Sequence, residues 1–78
     1  MKRYLDLNNN SGIAAYDYGE DWIRVNFTKG GTYEYLEVVI GAAHLSNMKR
    51  LADVGDGLNA YINTTPVVRT GGRKLAAA

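Results

Sequence analysis

A strict alternation of apolar and polar residues marks the segment 22–27, which predicts a β-strand with one buried face. The apolar positions are Ile23, Val25 and Phe27, and the polar positions between them are Arg24 and Asn26. Residues 13–18 and 32–36, both tyrosine-containing and bordered by glycine-containing turns, are predicted to form two more strands. Residues 3–7 suit a strand or an ordered arm, and residues 8–12 have the composition of a loop.

After the third strand, the spacing of apolar residues changes to three or four, which predicts an amphipathic helix over residues 37–53. Its apolar stripe consists of Val38, Ala42, Leu45, Met48, Leu51 and Ala52. Gly41 weakens the first turn, so we expect the helix to be split there or to begin late. Gly55 suits a helix C-cap, and Asp56 can act as N-cap of a second short helix over residues 57–63.

Strands followed by helices are typical of an α+β protein. We therefore predict a three-stranded antiparallel β-meander followed by two short helices packed on one face. Residues 1–66 are expected to form a single domain, and the glycine-rich, basic segment 67–78 is expected to be a flexible tail. The last five residues, 74–78, resemble a vector-encoded linker that precedes a purification tag.

The roles of Tyr33 and Tyr35 depend on the turn before them, because successive side chains of a strand point to opposite faces. A two-residue loop at 30–31 would place both rings on the polar face of the 22–27 strand, as a stacking platform. A three-residue loop at 29–31 would place them in the core, and the glycines allow either turn. This second loop pairs Thr28 with Thr32, Phe27 with Tyr33 and Val25 with Tyr35. We favour it because a chain this small needs the apolar area.

Composition limits the chain to one small domain. A chain of 78 residues hides only roughly 60% of its unfolded surface, so its core is marginal. There is no cysteine, and His44 is the only histidine, which excludes disulfides, thiolate metal cages and all-histidine zinc sites within one chain. We therefore expect no metal and no cofactor, and stability must come from tight packing or from association with other copies.

The charge balance is nearly even, with nine basic and eight acidic residues and a net charge of +1. This is not the polybasic composition that is typical of simple electrostatic binding to nucleic acid. Residues 1–40 hold four basic and six acidic residues, whereas residues 41–78 hold five and two. The longest near-apolar run, 38–43, is far shorter than the ~20 residues that cross a bilayer. A soluble, cytoplasmic protein with no membrane partner is expected.

No arrangement of residues predicts catalysis. His44 and Ser46 lie two positions apart on the predicted helix, roughly 200° around it, so they do not face each other. Asp17, Glu20 and Asp21 cluster in or beside a turn between strands, where acids usually serve solubility and turn geometry. We therefore expect a protein that is not an enzyme.

Four short motifs, in order, resemble those of the KTSC domain, a bacterial module found alone or at the C-terminus of some lysyl-tRNA synthetases. They are Asn10-Ser11-Gly12-Ile13 before Tyr16-Asp17, Ile23-x-Val25-x-Phe27 before Gly30-Gly31, Tyr33-Glu34-Tyr35, and Leu58-Asn59-Ala60-Tyr61-Ile62. The resemblance covers residues 7–63 and implies a binding module, with RNA as the suggested ligand. The chain departs from the family in lacking the proline usual after the tyrosine pair and the basic stretch usual after Ile62.

These features are compatible with two functions, which would use different residues. An RNA-binding module would use Trp22, Arg24, Lys49 and Arg50, while the family-motif residues Tyr33, Tyr35, Asn59 and Ile62 are expected in the core. The alternative is a protein–protein interaction or self-associating module. It is motivated by the small core and by Trp22, which is expected to be exposed on the face opposite Ile23.

Overall fold

The structure, a computed structural model, describes residues 1–6 and 12–75. Within these residues the chain forms a five-stranded antiparallel sheet in sequential strand order, together with four helices. The strands are β1 (Lys2–Arg3), β2 (Ile13–Tyr18), β3 (Trp22–Phe27), β4 (Gly31–Leu36) and β5 (Arg73–Lys74). The helices are α1 (Glu37–Ile40), α2 (Ala42–Val54), α3 (Leu58–Thr64) and α4 (Pro66–Gly71). The α+β class is therefore confirmed, and the predicted meander corresponds to β2, β3 and β4. The predicted count is wrong, because the described residues form five strands and four helices where three strands and two helices were expected.

One face of the sheet, the inner face, packs against the helices. Ile23 and Val25 of β3 are fully buried there, and they join one core with the buried residues of all four helices. The helical members are Ile40, Leu45, Met48, Ala52, Leu58, Ile62 and Val68. The other face, the outer face, carries the alternate side chains of the strands, including Arg24 and Glu34, which lie directly opposite each other.

The predicted long helix is split at Gly41, which confirms the first of the two alternatives expected for this segment. Gly41 has φ 92° and ψ 152°, a backbone conformation that glycine adopts without a steric penalty and that a helix cannot continue through. The split changes which side chains are buried. Ile40 is buried, whereas Val38, predicted in the apolar stripe, is 90% exposed.

The connection between α2 and α3 agrees only in part with the sequence. Gly55 ends α2 in the left-handed conformation and donates its N–H to the Leu51 carbonyl at 2.9 Å, so the predicted C-cap is confirmed. The predicted N-cap at Asp56 is wrong. Gly57 precedes α3 instead, with no side-chain capping hydrogen bond.

The C-terminal segment differs most from the expectation, because residues 67–75 are folded rather than a flexible tail. Pro66 occupies the start of α4, and Val68 is fully buried. The following strand, β5, then pairs with Tyr33 and Glu34 of β4. The domain thus extends at least to Leu75, because α4 buries Val68 while it contacts α1 and the sheet, and β5 adds a strand to that sheet. Residues 76–78, and most of the predicted 8–12 loop, lie outside the described residues.

The β3–β4 turn has three residues, but they are 28–30 and not 29–31. Phe27 pairs with Gly31, Val25 with Tyr33, and Ile23 with Tyr35. The predicted pairing is therefore wrong, because each residue of β4 pairs two positions earlier in β3 than expected. Gly31 takes the first position of β4 with a φ of 81°, which glycine tolerates and other residues rarely adopt. A shift of two leaves the faces unchanged. Both tyrosines therefore lie on the inner face, as predicted.

Candidate ligand-binding site

A groove of about 550 Å³ lies between the β3–β4 hairpin and the helices α3 and α4. Its wall is formed by Gly12, Phe27, Thr28, Lys29, Gly30, Tyr33, Tyr35, Asn59, Ile62, Asn63 and Arg69. The hairpin supplies the aromatic side, and α3 supplies the amides of Asn59 and Asn63. One cation, Lys29, comes from the hairpin turn, and the other, Arg69, comes from α4. Pockets that bind small ligands in proteins have volumes of roughly 300–1,000 Å³, so the groove has a suitable size.

The aromatic side of the groove has a fixed arrangement. The Phe27 and Tyr33 rings meet edge to face, with centroids 5.7 Å apart and an interplanar angle of 82°. Tyr35 is 2% exposed, and burial, helped by the neighbouring Tyr33 phenol, raises its pKa to about 12. A Cβ at Gly72 would lie 2.5 Å from the Tyr35 ring, so the segment after α4 passes directly over it.

The groove is electrostatically positive. Lys29 and Arg69 are both exposed, and in the part of the chain that the structure describes no acidic residue lines the groove. Arg69 lies in the last turn of α4. Two cations beside an aromatic wall favour a ligand that is both anionic and planar.

The family-motif residues Tyr33, Tyr35, Asn59 and Ile62 all line this groove. The expectation that they belong to the core fits Tyr35 and Ile62, which are buried, whereas Tyr33 and Asn59 are only half-buried. The Asn63 side-chain amide nitrogen donates a hydrogen bond to the Asn59 side-chain oxygen at 3.1 Å. The structure thus brings together two motifs that lie more than twenty residues apart in the sequence.

Of the predicted RNA-binding set, Trp22 and Arg24 lie on the outer face, away from the groove. The guanidinium carbon of Arg24 lies 4.7 Å from the centroid of the Trp22 ring. Trp22 is half-buried rather than exposed, because Arg24 covers one side of it and Gly19 lies against its indole nitrogen. This tryptophan therefore presents less free surface than the sequence suggests.

Arg24 forms an ion pair with Glu34. Its Nε donates to Glu34 Oε2 at 2.9 Å, and Arg73 of β5 donates to Glu34 Oε1 at 3.1 Å. Glu34 is 7% exposed, and the pairing places Asp17, Arg24, Glu34 and Arg73 in one row of alternating charge across four strands. The sequence does not single out Glu34 or Arg73, because β5 is too short to show a strand pattern.

Lys49 and Arg50 lie on α2 and are not joined to Trp22 and Arg24. Lys49 Nζ donates to the backbone carbonyl of Glu20 at 2.9 Å and lies 5.3 Å from the centroid of the Tyr18 ring. Arg50 is exposed. The four residues of the predicted set therefore do not form one surface.

A second polar cluster, which the sequence does not indicate, links β2 to α2. Tyr16 and Tyr18 donate their hydroxyls to the two oxygens of Asp53, at 2.7 and 2.6 Å. These bonds lower the pKa of Asp53. Burial, together with the bond to Asp53, raises the pKa of Tyr16 to about 12. The cluster holds one carboxylate ionised between two neutral phenols, which suits a structural tie.

His44 serves as a contact between α2 and α3. Its Nδ1 lies 2.5 Å from the Tyr61 hydroxyl, and Asn47 donates to the same hydroxyl at 3.3 Å. Within residues 1–6 and 12–75, no group of three or more His, Cys, Asp or Glu side chains could hold a metal ion. Among those same residues, no helix is long and apolar enough to cross a membrane.

Comparisons of the chain with protein-family models, with curated proteins and with solved structures found no match. The resemblance to the KTSC domain therefore stays a prediction from four short motifs.

Proposed function

We propose that the chain is a small non-catalytic module, KTSC-like and cytoplasmic, that binds single-stranded RNA in the groove. One observation carries the proposal: the Phe27–Tyr33 wall lies in the same groove as Lys29 and Arg69, with no acidic residue in the described lining. Single-stranded RNA offers both complementary groups, because its bases are free to stack and its phosphates are anionic. A base stacked on an aromatic ring contributes about 1–3 kcal/mol.

The modest net charge of +1 agrees with a local site rather than a basic surface. A protein that binds nucleic acid through charge alone needs many phosphate contacts. Here the groove offers two cations, so the aromatic side must supply much of the affinity. The proposal accordingly moves the RNA site from Trp22, Arg24, Lys49 and Arg50 to the groove.

The test is the salt dependence of binding to a fluorescently labelled single-stranded RNA of mixed sequence, followed by anisotropy. The variants Lys29→Gln and Arg69→Gln should each weaken binding and reduce the slope of log affinity against log salt by about 0.7. Arg50→Gln is the matched control, since it removes one exposed cation from α2, and it should keep the parent slope. RNA affinity that does not fall with salt, or an equal loss in the control, would count against the groove.

A second candidate function is self-association or binding to another protein, and exposed valines favour it. Val38 is 90%, Val39 51% and Val67 42% exposed, and their helices α1 and α4 contact each other. Adjacent exposed apolar side chains are typical of contact surfaces. If copies associate here, sedimentation should give a mass above one chain that Val38→Ser lowers and Val54→Ser, at an exposed valine of α2, does not. A single-chain mass at high concentration rejects self-association.

A further inference from the structure

We infer that the groove receives one RNA nucleotide, with the amide pair Asn59–Asn63 hydrogen-bonding the edge of its base. This inference rests on the proposed RNA-binding function and names the part of the ligand that α3 contacts. It concerns residues that sequence patterns assign to the core or do not single out at all.

The hydrogen bond between the two amides uses the nitrogen of one and the oxygen of the other. Asn63 Nδ2 donates to Asn59 Oδ1 at 3.1 Å, one helical turn away. Asn59 Nδ2 and Asn63 Oδ1 take part in no hydrogen bond between described residues. Both residues line the groove, so among the described residues this donor and this acceptor remain for a ligand there.

A glycine lies beside this pair of amides. Gly12 also lines the groove, and a Cβ built on it would lie 4.0 Å from Asn59 Nδ2, as the nearest atom. Its φ of 76° is one that glycine adopts readily and larger residues do not. Gly12 itself therefore places no side chain against Asn59 Nδ2.

A donor and an acceptor in one groove suit the edge of a nucleobase. Each RNA base carries a donor and an acceptor next to each other on its Watson–Crick edge, and single-stranded RNA exposes that edge. The base ring can then lie against the Phe27–Tyr33 wall, while Lys29 and Arg69 supply the charge that a phosphate needs. The volume of about 550 Å³ is suited to one nucleotide rather than to a folded RNA.

The experiment titrates the isotope-labelled protein with AMP, CMP, GMP, UMP and ribose 5-phosphate and follows amide signals by NMR. At least one mononucleotide should bind about tenfold more tightly than ribose 5-phosphate and shift the side-chain amide signals of Asn59 and Asn63. The double variant Asn59→Ala with Asn63→Ala should reduce that preference and keep the affinity for ribose 5-phosphate, because only stacking on the Phe27–Tyr33 wall then favours the base. Asn26→Ala, on the outer face, is the matched control and should keep the preference; urea unfolding of each variant confirms that it folds.

The outcomes separate this inference from the function on which it rests. If RNA oligonucleotides bind with the expected salt dependence, but mononucleotides bind no better than ribose 5-phosphate, the inference is overturned and the proposed function stands. The same conclusion follows if the double variant keeps the full preference for mononucleotides. If neither oligonucleotides nor mononucleotides bind, both proposals fall.

Discussion

Asp53 has both carboxylate oxygens bonded, and both donors are tyrosine hydroxyls of one strand. Tyr16 is 5% exposed and stacks on Tyr18, with ring centroids 6.2 Å apart. Lys2 and Lys49 lie 5.5 and 5.3 Å from the centroid of the Tyr18 ring. A single aspartate thus connects the end of α2 to β2 and to the N-terminal strand.

Because these hydrogen bonds lower the pKa of Asp53 in the folded chain, the unfolded chain binds a proton here more readily. The resulting stability is fully present above the unfolded pKa of about 4 and is lost as pH falls through the folded pKa. We expect Asp53→Asn to destabilise the chain by about 1 kcal/mol at neutral pH, and to remove part of the acid-induced loss of stability. Urea unfolding at a series of pH values measures both effects.

The exposed Asp21 provides the control for this prediction. Asp21→Asn removes the same charge from the turn between β2 and β3, and it should keep the acid sensitivity of the parent. An Asp53→Asn variant whose stability falls with acid as steeply as that of the parent would contradict the proposed role of the two phenols.

Among the elements, α4 depends most on tertiary contacts. It has six residues, fewer than an isolated helix needs in water, so its stability must come from packing. Val68 faces the core and is fully buried, whereas its neighbour Val67 is 42% exposed. A Cβ at Gly71 would lie 2.9 Å from Ile40, which shows how closely α4 and α1 approach.

These two adjacent valines give a matched test of whether α4 belongs to the folded domain. Val68→Ala should lower the free energy of unfolding by about 2 kcal/mol, because it removes buried methyl groups and leaves a cavity. Val67→Ala makes the same chemical change on the exposed side and should cost less than about 0.5 kcal/mol. Urea unfolding curves of the two variants provide the comparison, and equal losses would argue against a buried α4.

The strands β2, β3 and β4 could be predicted from the sequence because alternation and glycine-containing turns are local signals. The element α4 could not, since a six-residue helix in a glycine-rich, basic segment has no periodic pattern to detect. The same holds for β5, whose two residues pair with β4 from about forty positions away. Short elements that depend on distant partners leave little trace in a single sequence.

At the scale of the whole molecule, the groove forms where the hairpin meets α3 and α4. The sequence motifs include Tyr33, Tyr35, Asn59 and Ile62, which were predicted to lie in the core. Lys29, Asn63 and Arg69 complete the wall, and the sequence did not single them out as site residues. Their proximity depends on how α3 and α4 dock on the sheet, which no local pattern encodes. The sequence therefore shows the types of residue present, but it does not predict that these residues line one groove.

The ion pair on the outer face has a consequence for how the hairpin chooses its pairing. Two pairings that differ by two residues bury the same side chains, so the apolar inner face does not distinguish them. Only in the observed pairing does Glu34 lie opposite Arg24. In the pairing with a 29–31 turn, Glu34 would face Asn26 and lose that partner. The charged outer face therefore favours one alignment among those that bury the same apolar side chains.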